Sequence, residues 1–191
     1  MVKAVNRIFT EQEKDVLKLK RISKATLPKL DGAKYKTLWQ TLIAPMLIKV
    51  IEKEGNEALS EVGISALFEI GDPTINEFIR KDIEKFAQEV DMETKRLIFD
   101  IIEAGNVAGI GPEAIATNVS KAFDTFRKSR SLTIARTEIT NASTFADLKA
   151  WQDSGVVSGK EWYTALDERV CANCGPMNGK KQELPGKFFE K

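Results

Sequence analysis

The sequence predicts a mainly α-helical protein: a helical body followed by a small C-terminal β-hairpin that carries a Cys-x-x-Cys turn. Three features lead there. Apolar residues recur at spacings of three and four through most of the chain. Proline, glycine and aspartate fall where such runs would start or stop. Only after residue 156 does the composition turn to aromatic and β-compatible residues grouped around two cysteines.

Taken in order, Glu11 to Arg21 is rich in helix formers but offers little apolar surface beyond Val16, Leu17 and Leu19, with Ile22 just after. It reads as a helix that needs a partner to be stable. Leu27-Pro28-Lys29-Leu30-Asp31-Gly32 then breaks it. From about Tyr35 to Glu54 the residues Leu38, Trp39, Leu42, Ile43, Met46, Leu47, Val50 and Ile51 form one stripe. Pro45 is expected to kink or divide that helix, and a second piece, Asn56 to Ala66, is expected after a break at Gly55.

Asp72-Pro73-Thr74 reads as a turn with a helix start, leading into Ile75, Phe78, Ile79, Ile83, Phe86, Ala87 and Val90. Asp91 can cap a further helix bearing Leu97, Ile98, Ile101 and Ile102, which ends around Gly105 to Gly111. Gly111-Pro112-Glu113 opens the next helix, since proline at the first position loses no hydrogen bond and glutamate suits the positive end. The last long helix is expected from about Ser131 to Asp153, stopping at Gly155. On it Leu132, Ala135, Ile139, Ala142 and Ala146 share a face whose alanines admit another helix closely. Lys160 to Leu166 reads as a strand, and Asn178-Gly179 is a hairpin signal that returns Lys180 to Leu184 as a second one.

The resulting organisation is a basic N-terminal helical arm over 1–54, a helical body over 55–156 and a β appendage over 157–191 that reads as truncated. Charge is uneven along it. Residues 1–53 carry 12 basic and 5 acidic side chains, residues 54–120 carry 5 and 14, and residues 121–191 carry 12 and 9. A basic arm on a near-neutral whole suits an acidic partner, protein or nucleic acid, although any single lysine here serves equally as part of a solvated helix face. No apolar run approaches the roughly 20 residues that cross a bilayer, and no secretory signal opens the chain, so a soluble cytosolic product without membrane partners is expected.

The sequence contains no histidine, which removes the commonest general base and the commonest zinc ligand together. No nucleophile–base pair, phosphate-cradling glycine loop or complete ligand set replaces it, so a non-enzymatic protein is expected. Cys171 and Cys174 have the spacing of one knuckle of a tetrahedral zinc site. Four readings stay open for them: ligands beyond Lys191, two chains sharing one ion, a redox dithiol, or two inert thiols. Zinc is a candidate cofactor only if ligands come from outside this chain.

Arg136 and Glu138 lie two positions apart on the last long helix and so cannot face one another. Each must find a partner elsewhere, either on neighbouring helices through charged hydrogen bonds or on another molecule. Lys121, Arg127, Lys128 and Arg130 form a basic cluster that can meet DNA phosphate, or remain a solvated helix end.

Ile134-Ala135-Arg136-Thr137-Glu138, then Ser154-Gly155-Val156-Val157, then Lys160-Glu161-Trp162 and Thr164 to Cys171 with Cys174, together resemble the head morphogenesis family of tailed phages, the Mu F-like and SPP1-type minor head proteins. In that pattern an ARTE-like helix leads to a strand and a D-x-R-x-C-x-x-C turn, matched here by Asp167, Arg169, Cys171 and Cys174. Met177-Asn178-Gly179-Lys180 matches the short element that follows. The resemblance covers roughly Ile70 to Leu184. It implies an assembly protein, oligomeric or present in few copies, that works with the portal protein and other head proteins and contacts packaged DNA. Its implied places are the host cytoplasm during assembly and the virion head. It also implies that Cys171 and Cys174 are metal ligands, completed in the family by a later H-P-x-C-R-C-like element that this sequence does not contain.

Overall fold

The computed structural model describes residues 1–18, 31–184 and 186. It is mainly helical, with a two-stranded antiparallel sheet near the C-terminus. The expected sites at Leu19, Lys20, Arg21 and Ile22, and the break over Leu27, Pro28, Lys29 and Leu30, lie outside the described residues. The chain divides into two compact units. Unit 1 comprises 1–50 and 70–141, and unit 2 comprises 51–69 and 142–191.

In unit 1, α1 (Val2–Leu17) starts earlier than its charged segment suggests, because its buried stripe is Ala4, Val5, Ile8, Phe9 and Val16. Gln12 sits on that stripe and is fully buried. Asp31 begins α2 (Gly32–Glu61) by accepting the amides of Ala33 at 3.0 Å and Lys34 at 3.3 Å. Tyr35, Trp39, Ile43 and Leu47 are its buried positions here, while Leu38, Leu42, Met46 and Val50 flank them half-exposed.

The helix runs through Pro45 and Gly55 without dividing, which corrects the expected break. Pro45 is exposed. Gly55, in unit 2, lies against the Phe68 ring, whose carbons stand 2.5–2.7 Å from where a Cβ would be. The glycine is there for close approach, and the helix ends later, at Glu61, where Gly63 adopts φ +79°. The expected piece from Asn56 to Ala66 is thus the last turn of α2 followed by a loop. Asn56 Oδ1 holds that loop by accepting the Phe68 amide at 2.9 Å.

This gives an expected result opposite to helix propensity. Glycine to alanine inside a helix ordinarily stabilises by about 1 kcal/mol. Gly55→Ala should instead destabilise by about 1–3 kcal/mol, because the Phe68 ring must move. A urea denaturation midpoint lower than that of the parent checks it.

Helix α3 (Pro73–Val107) opens as the sequence predicts: Asp72 Oδ1 accepts both the amide and the hydroxyl of Thr74 at 2.7 Å, with Pro73 in the first turn. The expected break at Asp91 is absent. The buried stripe passes straight through it as Ala87, Val90, Asp91, Thr94, Ile98 and Ile102, so burial holds Asp91 within the helix where an aspartate cap would need the backbone to leave it. Gly105 lets Ile115 of α4 (Pro112–Thr125) approach to 2.6 Å of its missing Cβ. Gly109, at φ +68°, makes the turn between the two helices.

A π turn, Phe126–Arg130, joins α4 to α5 (Ser131–Ser154). Buried positions step from Phe123 and Phe126 to Ser131, Ala135 and Glu138. The stride of five across the turn is the extra residue that a π turn admits. Of the expected α5 face, Ala135, Ala142 and Ala146 are buried, whereas Leu132 and Ile139 are exposed and Glu138 takes an inward place instead.

In unit 2, Ala142, Ala146 and Ala150 of α5 are buried, as are Ile51, Ala58, Leu59 and Phe68. After Gly155 (φ +66°) the chain forms β1 (Gly159–Glu161), which pairs with β2 (Lys181–Glu183) through Lys160 opposite Gln182. Both strands are shorter than expected. Trp162 extends the ladder by exchanging backbone hydrogen bonds with Lys180 and Gly179, at 2.9 and 2.8 Å. Asn178-Gly179 is not a two-residue hairpin connection. It closes a long loop instead, with Gly179 at φ +77° and Asn178 Oδ1 accepting the Thr164 amide at 2.9 Å and hydroxyl at 3.1 Å.

Candidate functional site

The loop between β1 and β2 carries the chemistry that the sequence singles out. Asp167 Oδ1 accepts the Arg169 amide at 3.0 Å, and its other oxygen pairs with the Arg169 guanidinium at 3.2 Å. The Asp-x-Arg element is therefore one tight local turn, preceded by Leu166 in a left-handed conformation, φ 55°. It delivers the chain to Cys171.

There the Cys174 amide donates to the Cys171 sulfur at 3.2 Å and is also within 3.0 Å of the Cys171 carbonyl. A short 3-10 turn, Gly175–Met177, follows. Cys171 is exposed, Cys174 is half-buried, and both are free thiols. The Cys174 thiol and the backbone amides of Cys174 and Asn173 hold Cys171 below the ordinary thiol range, while Cys171 in turn pushes Cys174 up.

Amide donation to a thiolate suits metal ligation. Among the described residues, however, no group of three or more His, Cys, Asp or Glu side chains could hold a metal ion. Two thiols supply one edge of a zinc tetrahedron and do not by themselves fit zinc.

The ARTE-like stretch lies in unit 1 and its two charged residues part company. Arg136 is exposed. Glu138 is 4% exposed and turns toward Asp82 of α3. Burial, then the hydrogen bond and negative charge of Asp82, push the Glu138 carboxyl up to about 8. Glu138 thus faces a neighbouring helix, where its partner is a second carboxyl rather than a cation. Asp82 carried no sequence signal beyond its place three residues after Ile79, on the flank of the apolar stripe.

The basic cluster is also divided. Lys121 and Lys128 are exposed. Arg127 bonds Glu13 of α1 at 2.6 Å and Asp124 at 2.7 Å. Arg130 lies over the rings of Phe126 and Phe9, 5.2 and 5.8 Å from their centroids, and donates to Thr94 Oγ1 at 3.0 Å and the Val90 carbonyl at 3.2 Å. Two of the four cations thus serve the interior of unit 1.

Sequence reading also passed over a polar bridge beneath α1. Gln12 Nε2 donates to Asp91 Oδ1 at 2.6 Å, and burial pushes the Asp91 carboxyl up to about 6. Alongside it, Tyr35 donates to Asp15 at 2.6 Å, and Lys34 pairs with the same carboxylate.

Residues 97–189 match the family model described as Phage Mu protein F like protein. That region is Mu F-like. It begins in the second half of α3 and takes in α4, the π turn, α5, both strands and the Cys-x-x-Cys loop. Comparison with curated proteins and comparison with solved structures each return no match. The match over these residues agrees with the Mu F-like resemblance read from the motifs. No helix among the described residues is long and apolar enough to cross a membrane.

Proposed function

We propose that this protein is a minor head protein of a tailed phage or prophage, associating with the portal and the head interior during capsid assembly and DNA packaging or delivery. The observation that carries the reading is the Mu F-like region itself, with the Asp167-x-Arg169-x-Cys171-x-x-Cys174 turn inside it. Its role is structural rather than catalytic. The buried carboxyls Glu138 and Asp91 contact helix residues within unit 1.

DNA contact within this role draws on Lys121 and Lys128, because Arg127 and Arg130 are engaged inside unit 1. Zinc enters only with ligands from outside this chain.

Co-expression with the portal protein encoded nearby, followed by size-exclusion chromatography, tests the proposal. Co-elution at a substoichiometric ratio is expected. Clean separation of the two proteins, together with absence of the chain from assembled heads, would overturn it.

A further inference from the structure

Within unit 1, Glu138 of α5 meets Asp82 of α3. Glu138 Oε2 and Asp82 Oδ2 are both buried, and no hydrogen-bond donor from another group reaches either of them. Yet the two carboxyls lie within hydrogen-bonding reach of each other. Two anionic oxygens in that position would each be desolvated, unpaired and repelled by the other. One proton between them removes all three costs, since the protonated oxygen donates and the other accepts.

The groups around the pair do not offer another solution. Glu89, also on α3, adds negative charge, and Asn141, one turn further along α5, bonds the Glu138 carboxyl. None of the ion pairs formed among the described residues brings a lysine or arginine to Glu138 or Asp82.

We infer that Asp82 and Glu138 share one proton and form a pH-released clasp between α3 and the part of α5 that lies in unit 1. As pH rises the shared proton passes to solvent, both carboxyls become anions, and their repulsion replaces the hydrogen bond. The direction follows from linkage. Unfolded, Glu138 ionises in the ordinary glutamate range; folded, it keeps its proton to higher pH. Over that interval the folded state binds one more proton, so stability is present at low pH and lost as pH rises through the folded value.

The test is urea denaturation of the full chain at about pH 6.5 and about pH 9. In the wild type the unfolding constant should rise between the two, by up to roughly tenfold per pH unit. Glu138→Gln should lose most of that rise, because its amide donates to Asp82 as the protonated acid does and never ionises. Asp82→Asn should do the same and serves if the first variant does not fold. Asp91 is unchanged in both, so its own titration cancels in the comparison.

An equal rise in wild type and folded variants would overturn the clasp. So would restoration of wild-type stability at about pH 9 by millimolar Mg²⁺ or Ca²⁺ alone, since a cation would then be the bridge. A carboxyl-carbon NMR titration of the wild type needs no variant: one carboxyl should stay protonated at about pH 7.5, and full ionisation by then sinks the inference.

Discussion

Replacing Phe9 by alanine should destabilise the protein by about 3–5 kcal/mol, the range for losing a buried aromatic ring. Phe9 is fully buried, its ring lies 5.6 Å from that of Phe126 at a tilt of 46°, and Arg130 stands over it. Truncation therefore loses the ring's transfer free energy, leaves a cavity against Phe126, and strips one face of a half-buried guanidinium. The polar ties of α1 do not compensate. Glu13 with Arg127, Gln12 with Asp91, and Asp15 with Tyr35 are pinned by the same packing and lose geometry with it.

At roughly 2–4 °C per kcal/mol for a chain of this size, the melting temperature should fall by roughly 10 °C. Leu17→Ala, at an exposed position of the same helix, should change it little. The pair of variants separates a helix that is part of the core from an arm that waits for a partner. A loss below about 1 kcal/mol at Phe9 would favour the waiting arm.

Arg130→Ala should cost about 2–3 kcal/mol, the scale for hydrogen bonds made by a charged group. Its guanidinium donates to Thr94 Oγ1 and the Val90 carbonyl, and it lies over Phe126 and Phe9. Arg130→Lys should recover little of this, because an ammonium lacks the planar fork that reaches two acceptors while stacking on rings. Lys121→Ala and Lys128→Ala, at exposed sites of the same stretch, should stay within about 0.5 kcal/mol of the parent.

The four substitutions thus sort a cluster that looks uniform in sequence. If the protein binds duplex DNA, the two lysine variants should weaken binding and flatten its salt dependence by about one ion each. The Arg130 variant should act through folding. Chemical denaturation and a salt titration of DNA binding read the two effects separately, and a stable Arg130→Ala protein with lost DNA affinity would reverse this assignment.

Much of the helical architecture was legible because local rules and burial agree. Asp72-Pro73 and Gly111-Pro112 start helices, Gly155 stops one, and the Ile75–Ile79–Ile83 spacing gives the buried face of α3. The Cys-x-x-Cys turn was legible because it is built within a dozen residues, from Asp167 to Asn178. Three of the misreadings share one cause: a residue with a strong local preference was used for a distant contact. Gly55 admits the Phe68 ring, Asp91 receives Gln12, and Asn178 ties Thr164. Each residue type was read correctly as unusual for its place, and the reason for it lay elsewhere in the chain.

What the sequence alone determined is therefore the helical class, the C-terminal strand pair with its two thiols, and the family of residues 97–189. These depend on periodicity, capping and short-range spacing, which neighbours in the chain supply. Only the tertiary structure decided that α1 is packed by Phe9 onto the π turn, that Arg127 and Arg130 face inward while Lys121 and Lys128 do not, and that Glu138 meets Asp82. Those outcomes pair residues 36 to 117 positions apart. They follow from which apolar faces bury one another and which polar groups are carried in with them, a choice that no local pattern encodes.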